Sequence, residues 1–280
     1  LCQQPAEDDG LIYDVITQAA NLLRRGELAQ NPLRGLPVQA IIATGYSQTA
    51  LVLTTYTNLI VPTLPYRPFD GYLVSAGGEG AYLNACVGPL FGLYPLSHGA
   101  PVVQTQTLSE TAALPLVLMP SQPVDTDTAS DKYRYYDFPG SGHLEQGLID
   151  GVPQPADLAA AGFDIDALLA GCNVSANLSR FPSYVLYDNI LAKLETWVRT
   201  GTPPPASRRF WLSGLPALGT PRGGVRSPDV DVPIANYALI GLPIPVLGAL
   251  LPTCSGGNLS VPIALWGIQA DFGSEALHSF

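Results

Sequence analysis

Apolar positions at Leu11, Ile12, Val15, Ile16, Ala19, Leu22 and Leu23 recur at helical spacing. Asp8 and Asp9 precede them, and Arg24, Arg25 and Gly26 follow. Acids at the start and bases with a glycine at the end suit the dipole and caps of a helix. A loop with Pro32, Gly35 and Pro37 comes next. Val38 to Thr44 (VQAIIAT) is apolar, partly β-branched and too short for a typical helix, which predicts a buried strand. Gly45-Tyr46-Ser47-Gln48 then makes a turn into a helix from Thr49 to about Asn58. Three more segments read as strands: Gly71 to Ser75 (GYLVS), Pro101 to Gln106 (PVVQTQ) and Lys132 to Phe138 (KYRYYDF). The last ends in Pro139-Gly140-Ser141-Gly142-His143. Short buried strands separated by helical or loop crossovers predict an α/β fold with a mostly parallel sheet. Beyond His143, Pro182-Ser183 leads into an amphipathic helix with Ile190, Leu191, Leu194, Trp197 and Val198 on one face. Gly201 and the run Pro203-Pro204-Pro205 stop it. The remainder is rich in Gly and Pro, and neither a linker nor a repeat interrupts the chain. The expectation is one domain over residues 1–280, with candidate lid or cap segments within 144–280.

Composition narrows the function classes. The chain has 280 residues, 47% hydrophobic and 13% charged, so it can bury a sizeable core and is not globally disordered. Its net charge of −10 argues against a nucleic-acid binder, which needs a basic face for phosphates, and against docking on anionic lipid. The longest apolar stretch, Tyr237 to Leu251, is broken by Pro243 and Pro245 and is shorter than the roughly 20 residues of a membrane span. No charged-then-apolar leader opens the chain at Leu1, which reads as a mature or truncated start. The cysteines Cys2, Cys86, Cys172 and Cys254 form no C-x-x-C pair, and their even number permits two disulfides. With the N-x-S sequons at Asn173, Asn177 and Asn258, they favour a secreted or extracytoplasmic glycoprotein.

Chemistry concentrates around Ser47. A serine hydroxyl needs an adjacent base, an acid to orient that base, and donors for the developing oxyanion. A strand, a sharp Gly45-Tyr46-Ser47-Gln48-Thr49 turn and a helix would thrust Ser47 out at the carboxyl edge of a sheet. The Gln48 N–H would lie at the helix start, as an oxyanion donor. Thr49 stands where G-x-S-x-G has its last glycine. Of the three histidines, His98 lies in a loop and His278 is nearly terminal. His143 ends the loop after the fourth strand, where a base is needed. The order serine, acid, histidine makes Glu110 the first choice for the acid and Glu79 the second. Dispersed histidines without H-x-x-x-H or H-E-x-x-H spacing give no metal site, and no Gly-rich phosphate loop with a following Lys is present. No cofactor is expected.

The runs IYDVITQAANLL, AIIATGYSQTALVLTTYTN and FDGYLVSAGGEG resemble the bacterial and fungal alpha/beta hydrolase domain family, whose turn reads G-x-S-Q-[ST]. The resemblance continues through VVQTQTLSET, YDFPGSGHLE, WVRTGTPPP and GGVRSPDVDVP, and so spans most of the chain. It implies an α/β-hydrolase fold and a serine carboxylic-ester hydrolase with Ser47 as nucleophile and His143 as base. Glu110 and Thr111 match the family's Glu-Thr, and Ala112 stands where the family has Asp. Only one helix and a loop precede the strand that carries Ser47. The fold has several strands there, with the loop that supplies a second oxyanion donor. The chain is therefore expected to lack the N-terminal strands, with an upstream polypeptide of the same precursor as a partner that Cys2 could tie to it.

The expected reaction is hydrolysis of a small-molecule ester, apolar or aromatic, through an acyl-enzyme. Tyr237 to Leu251 is a candidate apolar wall or lid over the site, with ordinary core as the alternative. Two other classes stay open. The acyl group could pass to an alcohol or amine, making an acyltransferase; or the chain could be an inactive hydrolase-like binding module, a reading that Ala112 and the short N-terminal portion favour.

Overall fold

In the computed structural model of the chain, the residues described are 10–77, 94–113, 123–151, 155–160, 162, 164–172, 178–209, 223–232 and the backbone of four short strands farther on. Helix α1 spans Leu11–Arg24, but it buries Tyr13, Thr17 and Ala20 and leaves Leu11, Ile12 and Val15 exposed. The contact is made by a tyrosine pair rather than by the most apolar stripe. Tyr13 stacks on Tyr56 with ring centroids 6.3 Å apart. The Thr17 hydroxyl meets the Tyr56 hydroxyl at 2.7 Å. Asn31 closes the helix, its amide donating to the carbonyls of Leu22, Leu23 and Arg25.

Strand β1 is Ile42–Tyr46, later than the apolar run Val38–Thr44 suggests. Its pairing with the next strand, β2 (Gly71–Ser75), starts only at Ile42↔Gly71 and runs to Tyr46↔Ser75. Just before it, the Ile41 N–H donates to the Asp70 carboxylate at 2.7 Å. Helix α2 spans Gln48–Thr55 and continues as a wider turn, Tyr56–Ile60, and a tight one, Val61–Thr63. The Thr57 hydroxyl and the Asn58 amide both donate to the Thr54 carbonyl, which draws it out of the regular ladder, and Pro62 lacks an N–H.

Strand β3 (Val102–Thr107), helix α3 (Leu108–Ala113), the two-residue strand β4 (Thr126–Asp127) and strand β5 (Lys132–Phe138) complete the main sheet. Its order is β1-β2-β3-β5-β4. β1, β2 and β3 run parallel, and β4 lies antiparallel to β5. Every residue of β2 and β3 is buried, as expected for inner strands covered on both faces. The mostly parallel sheet flanked by helices is the architecture the sequence predicts. Four short helices and a long one follow in chain order: α4 (Gln146–Gly151), α5 (Pro155–Ala160), α6 (Ile165–Gly171), α7 (Ser183–Thr200) and α8 (Pro228–Asp231). Two antiparallel pairs come last, β6 (Ala235–Leu239) with β9 (Gly267–Asp271) and β7 (Thr253–Gly256) with β8 (Leu259–Pro262).

These elements form two compact units. The described residues of the first lie within Leu1–Thr105, Leu118–Tyr135 and Asn189–Ala206. Its core runs through an aromatic chain, Tyr13, Tyr56, Phe69 and Tyr72, with edge-on contacts of 5.9 and 5.7 Å at Phe69. Arg134 stacks over Trp197 and donates to the carbonyls of Thr126 and Pro204, so the triple proline after α7 is held by the guanidinium of β5.

The described residues of the second unit lie within Gln106–Val117, Tyr136–Asp188 and Ser207–Phe280. Phe138 packs edge-on to Tyr187 at 5.1 Å. The Pro139-Gly140-Ser141-Gly142-His143 loop is braced from two sides. Gly140 has φ +90°, and a Cβ there would sit 2.9 Å from the Phe181 ring and 3.3 Å from Val230. Gly224 has φ +67° and lies against Pro139 and the Asp137 carbonyl, which accepts the Val225 N–H at 2.8 Å. The GGVRSPDVDVP segment thus supports the loop that carries His143.

Cys172 is disulfide-bonded. Cys2, Cys86, Glu79, His278, the sequon residues Asn173, Asn177 and Asn258, and residues 240–251 of the candidate lid lie outside the described residues, as do the side chains of Ala112 and Cys254. Among the described residues no helix is long and apolar enough to cross a membrane.

Candidate active site

Ser47 joins β1 to α2 with φ 57° and ψ −121°, outside the basins that a side-chain-bearing residue normally occupies. Such a conformation costs about 1–3 kcal/mol and persists only where the surroundings over-determine it. Here they do. The Ser47 N–H donates to the Ser75 carbonyl of β2 at 3.0 Å, and the Ser47 carbonyl accepts from Ala50 and Leu51 in the first turn of α2. Two glycines make the bend fit. A Cβ on Gly45 would sit 2.6 Å from the Thr49 carbonyl oxygen, and one on Gly77 would sit 2.8 Å from the Ser47 carbonyl oxygen. Thr49 hydrogen-bonds both backbone groups of Tyr46, each at 2.8 Å. The threonine that departs from G-x-S-x-G therefore stitches the turn it belongs to. Gln48 is the first residue of α2, so its N–H has no acceptor within the helix.

In the second unit, Glu110 of α3 and His143 of the loop after β5 are brought together. His143 Nδ1 and Glu110 Oε1 are 2.5 Å apart, with side chains only 7% and 3% exposed. The other carboxylate oxygen accepts the Thr107 N–H at 2.8 Å and the Thr107 hydroxyl at 2.5 Å. Burial alone would raise the Glu110 carboxyl. The charge and hydrogen bond of His143, with the two bonds from Thr107, outweigh it and hold the group below its usual value. The histidine is fixed through its main chain as well, its N–H donating to the Ser109 hydroxyl at 3.0 Å. With Nδ1 turned to the carboxylate, Nε2 is the nitrogen that can exchange a proton with a substrate-bound group. Thr111, the other family-like residue of α3, donates to the buried Asp137 carboxylate at 3.1 Å. His98 is exposed in its loop at φ 46°.

One buried acid is not evident in the sequence. Glu145, two residues past His143, is 1% exposed, and its Oε2 accepts the Gly142 N–H at 3.1 Å. Burial pushes its carboxyl up to about 8, opposed by hydrogen bonds from Ser183 and Gly142 and reinforced by the charge of Glu110. Nothing in the string GHLEQG announces that burial.

A cavity of about 540 Å³ in the first unit lies at the amino ends of β2, β3 and β5, beside Asp70, Pro101 and Lys132. Ser47 follows the carboxyl end of β1, the end at which open α/β sheets present their ligands. Among the described residues no cluster of His, Cys, Asp and Glu is arranged to hold a metal ion.

A family model described as alpha/beta hydrolase domain matches residues 3–256. The chain belongs to that family. No curated protein and no solved structure matches it. Membership in the alpha/beta hydrolase domain family supports a hydrolase-type function, in keeping with the sheet, the strained serine and the buried acid–histidine pair.

Proposed function

We propose that the chain is a serine carboxylic-ester hydrolase that works through an acyl-enzyme, with Ser47 as nucleophile, His143 as base and Glu110 as the orienting acid. The observation that carries the reading is Ser47 itself, a strained residue at a strand-to-helix bend built around Gly45, Thr49 and Gly77. A serine held at such a cost with its side chain at a helix start is what nucleophilic attack requires. The buried Glu110–His143 pair supplies a base with one nitrogen already oriented. The chain order of serine, acid and histidine is the order of this fold's triads.

In the proposed reaction His143 Nε2 takes the Ser47 proton as Oγ attacks the ester carbonyl. Glu110 keeps the imidazole in the tautomer with Nδ1–H and stabilises the cation. The Gln48 N–H, aided by the positive end of α2, binds the oxyanion. His143 returns the proton to the departing alcohol, and then activates the water that releases the acid. Neutral apolar or aromatic esters are the proposed substrates, because a chain of net charge −10 repels anionic ones. The disulfide at Cys172 favours an oxidising, extracytoplasmic setting for the reaction.

A fluorophosphonate probe and a panel of neutral esters test the proposal together. Labelling and hydrolysis should both occur in the unaltered chain, and both should vanish in Ser47→Ala. A folded preparation that neither reacts with the probe nor cleaves any ester would overturn it. Acyl transfer to an added alcohol in preference to water would reassign the second half-reaction.

A further inference from the structure

We propose that Glu145 is a positioning residue that holds the His143 loop in its working shape only as the neutral acid, so that its ionisation disables the site at alkaline pH. The inference rests on the reading of His143 as the base. Glu145 is the residue before α4, and its carbonyl accepts the Leu148 and Ile149 N–H groups of that helix at 3.1 Å each. Its side chain turns back to take the Gly142 N–H at 3.1 Å. The two attachments bracket His143. The next N–H, that of His143, goes to the Ser109 hydroxyl, and that of Gln146 goes to the Ser179 carbonyl. Four anchors along the loop thus fix the imidazole's backbone, and Glu145 supplies the one that can titrate.

The second oxygen of Glu145, Oε1, is buried and has no hydrogen-bond partner among the described residues. A charge on the carboxyl would leave this oxygen neither hydrated nor hydrogen-bonded, so the bonds to the carboxyl from Gly142 and Ser183 offset the cost of burial only in part. The groups acting on the carboxyl are the Ser183 hydroxyl from α7, the Gly142 N–H of its own loop and the Glu110 carboxylate from α3, none of them a cation. Glu110 already carries a negative charge, its carboxyl being held below the usual value. When solvent base removes the Glu145 proton, a second anion appears beside it. The relief available is for Oε1 to reach water, which drags Gly142 and the His143 backbone with it. The value of about 8 for Glu145 places this change just above neutrality.

Carboxyl-carbon NMR of the intact chain with ¹³C-labelled glutamate reads the claim without any variant. One glutamate carboxyl should titrate near 8. If every one titrates in the ordinary range, about 4.3, the proposal is wrong. The link to His143 is read by the low-field proton of the His143–Glu110 hydrogen bond. It should respond to the same alkaline titration in the unaltered chain and lose that response in Glu145→Gln, which mimics the neutral acid. Hydrolysis gives the third readout. Above its midpoint kcat/KM of the unaltered chain should fall about tenfold per pH unit, while Glu145→Gln keeps its own neutral-pH rate across that range. An identical alkaline limb in both proteins would overturn the positioning role while leaving the hydrolase intact. A chain that hydrolyses nothing, yet shows the low-field response only with Glu145 present, would sink the hydrolase reading and leave the coupling standing.

Discussion

The Thr49 hydroxyl accepts the Tyr46 N–H and donates to the Tyr46 carbonyl, both at 2.8 Å, three residues back along the chain. One side chain thereby satisfies both backbone groups of the residue before Ser47, at the point where β1 ends and the chain turns. A glycine at this position would leave them to other partners. Thr49→Val keeps the shape and removes both bonds. Since the site is partly open to water, the loss should be about 1–2 kcal/mol, or roughly 2–5 °C in melting temperature for a chain of this size. The rate of probe labelling at Ser47 should fall with it, and Thr49→Ser should restore most of both. Equal melting temperatures and labelling rates for Thr49→Val and the unaltered chain would show the stitching to be idle.

Gly45 meets a harder constraint, because its neighbours are backbone. A methyl group there would lie 2.6 Å from the Thr49 oxygen, 2.7 Å from the Thr49 carbonyl carbon and 2.9 Å from the Ala50 nitrogen. None of these atoms can swing aside without unwinding the first turn of α2. Gly45→Ala should therefore cost about 3 kcal/mol and remove labelling by the probe. Gly151, at the end of α4, has nothing within 4 Å of the same added carbon. Gly151→Ala is the control, expected to gain about 0.5–1 kcal/mol from the restricted unfolded chain. Urea denaturation of the two variants side by side checks the contrast.

Glu110 can be separated from the rest of the site by a substitution that keeps its shape. Glu110→Gln preserves the volume but removes the charge that orients and stabilises the imidazole. If the pair acts as proposed, turnover should fall about 10³–10⁴-fold while labelling by a reactive phosphonate persists at a reduced rate. The carboxyl of Glu110 in the folded chain lies below its ordinary value of 4.5, so its contribution to stability is present above that pH and is lost as pH falls through the folded value. Acid unfolding of Glu110→Gln should accordingly lack part of the slope seen below pH 4.5 in the unaltered chain. Parallel acid limbs would show that the pair does not stabilise the fold.

The parts of the molecule legible in its sequence are those where burial is continuous or residue type is decisive. GYLVS and KYRYYDF are strands with the bounds their sequence suggests, because burial is continuous along GYLVS and along KYRYYDF after its half-buried Lys132. Glu110 and His143 stand out through the order of scarce residue types, with three histidines to choose from. The buried face of α1 is not legible. Periodicity weights Leu11, Ile12 and Val15, whereas the contact is chosen by Tyr56, a residue distant along the chain that offers a ring and a hydroxyl together. The start of β1 is not legible either, because an apolar run does not say where its partner begins. Thr49 reads as a departure from a motif until its hydroxyl is seen between the two Tyr46 groups. Glu145 is one acid among many until its environment is known, since burial is a property of what surrounds it.

That environment has a consequence for stability that does not depend on catalysis. The Glu145 carboxyl is raised from 4.5 to about 8 by burial, so the folded chain holds a proton that the unfolded chain has released. Stability from this group is fully present below 4.5 and is lost as pH rises through about 8. A tenfold change in proton affinity between the two states corresponds to about 1.4 kcal/mol, so the decline amounts to several kcal/mol before it levels off. Glu145→Gln cannot ionise and should show no such decline. In acid, where the unaltered side chain is neutral and fits its pocket, the variant should be the less stable protein, and its curve should cross that of the unaltered chain as pH rises. Urea midpoints measured at steps through this range test the claim, and two curves that run parallel throughout would remove Glu145 as the buried neutral acid.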